Sequence, residues 1–209
     1  KMSVVGNKES KGPVGKYFDK CETDDKMGEK TFERAEIRML DTAVRGAVRD
    51  AKLEIEDIDV MVSGDLLNQI ISASFAARDY NFPFLGVYSA CSTMSESMLL
   101  GAMLVNAGYV KKAVAATGSH FASAERQYRY PLELGCTRPP QAQWTVTGAG
   151  GCVITDEKNG IKIVNGTMGK VCDFGVTDVN NMGAAMAPAD AIIPPYCDFA
   201  LCGGQPKTL

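Results

Sequence analysis

The chain has 209 residues, 45% hydrophobic and 22% charged, with a net charge of −3. That is enough chain for one sizeable core, in proportions ordinary for a soluble globular protein. No basic block offers itself to a nucleic acid or an anionic membrane, and charges, glycine or proline interrupt every apolar run well before the ~20 residues of a membrane span.

Seven cysteines stand without a Cys-x-x-Cys pair, which argues against structural zinc and against a disulfide framework. A single histidine, His120, excludes a His-rich metal site. No charged-then-apolar leader opens the chain, so the expected location is the cytoplasm and no resident cofactor or metal is expected.

Residues 1–30 are polar, with a turn at Gly12-Pro-Val-Gly15 and Tyr17-Phe18 as an anchor. Over residues 32–52, Ile37, Leu40, Val44, Ala47, Val48 and Ala51 recur at helical spacing, while Glu33, Arg34, Arg38, Asp41, Arg45 and Arg49 form a solvated face. Ile58–Ser63 is a short strand ending at Gly64-Asp65, and residues 66–80 are helical in composition. Phe84–Tyr88 is a second strand, followed by a helix from Thr93. Val110–Thr117 is a third strand, closing at Gly118-Ser-His120.

This βαβα alternation predicts an α/β fold, a parallel or mixed sheet with helices on both faces. Ligands of such sheets bind beyond the carboxyl ends of the strands. Asp65 with Asn68 and Gln69, Cys91 with Ser92, and Ser119 with His120 all stand at strand ends and are expected to share one crevice.

Around Cys91 the pattern is more specific. Thr93-Met-Ser-Glu96 has capping-box spacing. Met94, Met98, Leu99, Ala102, Met103 and Val105 then surround the helix with apolar surface, which predicts burial. The helix dipole favours a thiolate at Cys91, whereas Glu96 disfavours one. Cys91 reads equally as a site residue or as a small core thiol.

Glu125-Arg-Gln-Tyr-Arg-Tyr-Pro131 places Arg126 and Arg129 among aromatics, suited to a planar anion or simply to pairing with Glu125 and Glu133. Trp144–Thr155 and Gly160–Met168 read as a hairpin across Asp156-Glu-Lys-Asn159. Gly148-Ala-Gly-Gly151 has no helix after it, so it marks close backbone approach rather than a phosphate loop.

These pieces together resemble a known family. Lys11-Gly-Pro-Val-Gly-Lys-Tyr-Phe-Asp-Lys20, Gly64-Asp-Leu-Leu-Asn-Gln69, Ala90-Cys-Ser-Thr93, Ala115-Ala-Thr-Gly-Ser-His120 and Ala124-Glu-Arg-Gln-Tyr-Arg-Tyr-Pro131 are similar to stage V sporulation protein AD, a thiolase-fold family of spore-forming bacteria. Glu56-Asp-Ile-Asp59, Thr145-Val-Thr-Gly148 and Met182-Gly-Ala-Ala-Met-Ala-Pro188 continue the match in the same register.

The resemblance implies a thiolase-like domain over residues 1–190, the first of two similar halves, with 191–209 as a divergent tail from a truncated or frameshifted gene. It implies a non-catalytic protein that binds dipicolinic acid, a planar dicarboxylate often paired with calcium, and supports its uptake into the developing spore. The implied lining is Asp65, Cys91, Ser92, His120, Arg126 and Arg129.

Implied partners are the membrane subunits of the dipicolinate channel, at the spore inner membrane, and a second copy joined through residues 110–155. Thiolase-type enzymes keep their nucleophile at the position of Cys91, so an acyltransferase with a Cys91 thioester is the alternative, and a docking scaffold a third. Catalysis would need a base beside the thiol, and His120 stands where those enzymes do not use one.

Overall fold

The computed structural model describes residues 1–127, 145–157 and 160–168. Residues 1–136 with 144–156 form one compact unit, and 137–143 with 157–209 another. In the second, the described residues 161–168 carry no helix or strand.

The first unit is built on six strands: β1 (Met2–Val5), β2 (Lys20–Cys21), β3 (Val60–Gly64), β4 (Phe84–Gly86), β5 (Lys112–Ser119) and β6 (Gly148–Thr155). They lie in the order β2-β1-β6-β5-β3-β4. β3 is parallel to both β4 and β5, with Met61 beside Phe84 and Val62 beside Ala115. β6 runs antiparallel to β5 and β1, setting Cys152 against Ala115 and Ala149 against Val4. The sheet is therefore mixed, as expected.

All of β3 is buried, as is Ala113–Ala116 of β5, because helices cover both faces. Helix α1 is the short Asn7–Ser10, and α2 spans Phe32–Asp50. Thr31 caps α2, its side chain accepting from Arg34 N at 3.3 Å. α2 lays Ala35, Met39, Leu40, Ala43, Val44 and Val48 on the face that carries Val4, Met61, Val114 and Ala116. Each large side chain so buried stabilises the fold by about 2 kcal/mol. A Cβ on Gly151 would sit 3.1 Å from the Ala43 carbonyl oxygen, so glycine in β6 does permit close approach of a backbone.

The opposite face is covered by α4 (Thr93–Asn106), which follows α3 (Ile71–Ala77) in the chain. α4 departs from its expected burial. Only Thr93, Ser97 and Gly101 are buried, a stripe of small residues four apart, and Met103 is exposed. Small side chains let the helix approach Ala113 and Ile154 closely, which turns the bulky apolar residues sideways and outward.

The capping box is also absent. Thr93 lies inside the helix, donating to the Ala90 carbonyl at 2.8 Å, because a 3-10 turn over Ala90–Ser92 extends the helix backward. Glu96 leaves Oε2 buried without a partner.

Two further expectations change. The helix expected over 66–80 is confined to Ile71–Ala77, after a 3-10 turn at Asn68–Ile70. Residues 160–168 form no hairpin with β6, whose neighbours are β1 and β5.

Candidate functional site

Because β3, β4 and β5 are parallel, their carboxyl ends fall on one edge of the sheet. That edge carries Asp65, the Val87–Ser92 segment and His120. The three segments thus share one edge of the sheet, and their side chains divide into an inner and an outer group.

Asp65 is inner, 1% exposed. Its Oδ1 accepts from Leu67 N at 2.7 Å and its Oδ2 from Ala73 N at 2.6 Å. It closes the β3–α3 turn and serves α3's first amides. Burial pushes its carboxyl above the ordinary aspartate range, against the pull of those amides. Within the turn it closes, Gln69 and Ile70 have positive φ, 61° and 47°. For a β-branched residue that costs on the order of 1–3 kcal/mol and persists only where surroundings impose it. Gly64, just before Asp65, passes beneath the Val87 carbonyl, where a Cβ would lie 1.9 Å from the oxygen.

His120 is inner too, with no exposed surface. Nε2 lies 2.7 Å from the Asp25 carbonyl and Nδ1 accepts from Ala122 N at 3.2 Å. The proton therefore sits on Nε2, in a neutral ring. That ring packs against both Phe32 and Phe121, with centroids 5.0 and 5.1 Å away. Burial lowers its pKa. His120 ties the turn between β5 and α5 (Phe121–Gln127) to the 24–28 loop and has no nitrogen left for a thiol.

Cys91 and Ser92 are outer. Both are exposed, in the turn that opens α4, next to Ala90 at φ 47° and an exposed Tyr88. Ser92 Oγ donates to the Ser89 carbonyl at 2.8 Å. The Cys91 thiol is thus a surface group rather than a core one. Cys152 on β6 is the packing thiol, with burial pushing it up to about 11. Arg126 lies on α5 (Phe121–Gln127), with its side chain outside the described residues, as is all of Arg129.

Sequence reasoning missed Glu36. It is fully buried on α2, accepting from Ser123 Oγ at 2.7 Å. Burial first, then the negative charges of Asp65 and Glu33, push its carboxyl up to about 8, although the Ser123 hydroxyl opposes the shift. The signal was present: Glu36 precedes Met39 and Leu40 by one turn, on the apolar face of the helix. Among the described residues no group of three His, Cys, Asp or Glu could hold a metal ion.

The sequence profile of stage V sporulation protein AD matches residues 1–198. The chain is 44% identical to stage V sporulation protein AD of Bacillus subtilis (strain 168) over 189 residues, covering 90% of this chain and 56% of that protein. It thus spans little more than half the length of that relative. It is also similar to 3-oxoacyl-[acyl-carrier-protein] synthase III of Aquifex aeolicus, at a TM-score of 0.48 and 18% identity over 63% of this chain and 40% of that one. The Thermus thermophilus synthase III gives 0.46 and 13%, over 60% and 38%. With the profile covering nearly the whole chain and the Bacillus relative matching nine-tenths of it, this chain belongs to the stage V sporulation protein AD family.

Proposed function

We propose that this chain supplies the strand-end half of a dipicolinic acid site in the developing spore and supports uptake of that ligand without turning it over. The observation that carries this reading is the shared edge of β3, β4 and β5, where Cys91 and Ser92 stand exposed at the start of α4. The positive end of the α4 dipole favours a bound carboxylate there. Exposed Tyr88 offers a flat apolar wall, and Arg126 and Arg129 would supply charge.

Asp65 and His120 take a supporting part. With its carboxylate engaged by backbone amides and turned inward, Asp65 shapes the turn and spares the dianion a facing negative charge.

Calorimetric titration of the purified chain with dipicolinic acid, with and without calcium, tests the reading. Saturable binding that Cys91→Ala and Arg126→Ala weaken supports it. A folded chain that takes up no heat in either condition overturns it for this half.

Partners belong to the same proposal. The membrane subunits of the dipicolinate system would receive the protein at the spore inner membrane; no helix among the described residues is long and apolar enough to cross a membrane. A second copy would join through residues 110–155.

One observation favours a second reading, acyl transfer through a Cys91 thioester: the thiol is accessible and sits on a strained turn at a helix N-terminus. Its general base would have to come from outside the described residues, because His120 is committed to Asp25 and Ala122. Incubation with an acyl-coenzyme A and intact-mass measurement separates the two: an acyl adduct lost in Cys91→Ala supports transfer.

A further inference from the structure

Glu36 reaches both inner turns of the strand-end edge from below. Its Oε2 accepts from Ser123, in the first turn of α5, whose hydroxyl also lies 3.1 Å from the His120 carbonyl oxygen. On its other side are Ser72, in the first turn of α3, and Asp65, which closes the β3–α3 turn. Glu36 Oε1 and Ser72 Oγ are both buried with no hydrogen-bond partner. A buried polar atom left unsatisfied is costly, so packing alone would favour a leucine or methionine at this position.

We propose that Glu36 is a positioning residue for the strand-end site, joining the β5–α5 turn to the β3–α3 turn, and that the charge on its carboxyl decides whether the two turns stay joined. The surroundings make this a proton-dependent contact. The charges acting on it are Asp65, from the β3–α3 turn, and Glu33, on α2 itself, both negative, while α3 and α5 face it with the Ser72 and Ser123 hydroxyls. With the proton on, Oε1–H has the Ser72 oxygen as a nearby acceptor. With the proton off, two buried negative charges face each other across the turn that carries Gln69 and Ile70, the latter lying against Gly86 of β4.

As a statement about a ligand site this rests on the reading proposed above. The test therefore uses no ligand, so that its failure leaves dipicolinate binding untouched and the reverse. Hydrogen exchange is followed by mass spectrometry on peptides covering 64–73 and 119–124, with β3 and β5 interior amides as the reference, in wild type, Glu36→Gln and Ser123→Ala.

The expected result is that both peptides exchange about tenfold faster in wild type than in Glu36→Gln at about pH 9.5, and equally at about pH 6.5. Ser123→Ala should loosen both peptides at either pH. Agreement of wild type with Glu36→Gln at both pH values overturns the proposal, as does a change in one peptide without the other. If Glu36→Gln does not fold, wild type alone decides. Turn-to-reference exchange that rises between the two pH values supports the proposal, and a constant ratio overturns it.

Discussion

After β3 the chain turns inward: Asp65 is 1% exposed, both carboxylate oxygens are taken by backbone amides, and Glu36 stands behind it. After the neighbouring parallel strand β4 it turns outward: Tyr88, Cys91 and Ser92 are exposed, and the 3-10 turn runs directly into α4. Both turns hold non-glycine residues at positive φ, Gln69 and Ile70 in one and Ala90 in the other. The first is held by a buried carboxylate that takes two backbone amides, the second by the single buried hydroxyl of Thr93, which donates to the Ala90 carbonyl. The division of labour this suggests is a rigid wall beside a presenting turn.

The largest effect expected from breaking that contrast is at Gly64, where the inward turn slides beneath the outward one. A Cβ there would stand 1.9 Å from the Val87 carbonyl oxygen and 2.9 Å from Thr93 Cγ2. Backbone cannot give way as a side-chain tip can. Gly64→Ala should destabilise by more than about 4 kcal/mol, unfolding much of the population, as read by urea denaturation. Asp65→Ala comes next, at about 3 kcal/mol, because it strands the Leu67 and Ala73 amides in a buried turn. A loss below about 1 kcal/mol would mean that the turn holds its own shape without the carboxylate.

The pH dependence sharpens the same comparison, since the titrating groups are all on the inward side. Glu36 has its folded pKa raised from 4.5 to about 8 by burial and by Asp65. Its stabilising contribution is therefore complete below pH 4.5 and is lost as pH rises through about 8. The total is of the order of 4 kcal/mol. Asp65 is raised as well and acts in the same direction.

His120 works oppositely. Its folded pKa is lowered from 6.5, so its contribution is present above that value and lost as pH falls. Thermal midpoints followed across pH should show both limbs. Glu36→Gln should flatten the alkaline one alone; an unchanged alkaline slope would mean that Glu36 is ionised in the folded state.

How much of this was legible in the sequence follows from what each residue's signal depends on. β3 and β5 were readable because a strand buried on both faces is apolar throughout, as Val60–Val62 and Ala113–Ala116 are. The body of α2 was readable from its period. α4 was not: with apolar residues all round, its orientation is decided by the small stripe Thr93, Ser97 and Gly101, a packing choice that a hydrophobic count cannot see. His120 and Asp65 carry the residue types of a site at the position of a site. His120 turns inward to the Asp25 carbonyl, 95 residues away, and Asp65 turns inward to amides of its own turn that are free only because α3 starts there. Glu36 was overlooked because a glutamate in a helix is read with its charged neighbours, although its spacing placed it with Met39 and Leu40.

The smallest expected effect is at Cys91, and its smallness is what gives it value. An exposed side chain in an outward turn has little packing to lose, so Cys91→Ser should change stability by less than about 0.5 kcal/mol. The thiol should react with an alkylating reagent in the native protein at a rate close to that of exposed Cys21, whereas Cys152, intermediate in exposure and raised to about 11, should react only on unfolding. Peptide mapping after brief native alkylation distinguishes the sites. If Cys91 is labelled as slowly as Cys152, the β4–α4 turn is covered in solution, and the contrast between the two turns fails on its outward side. If it is labelled quickly and dipicolinic acid slows it, the ligand lies over the presenting turn, as the proposed site requires.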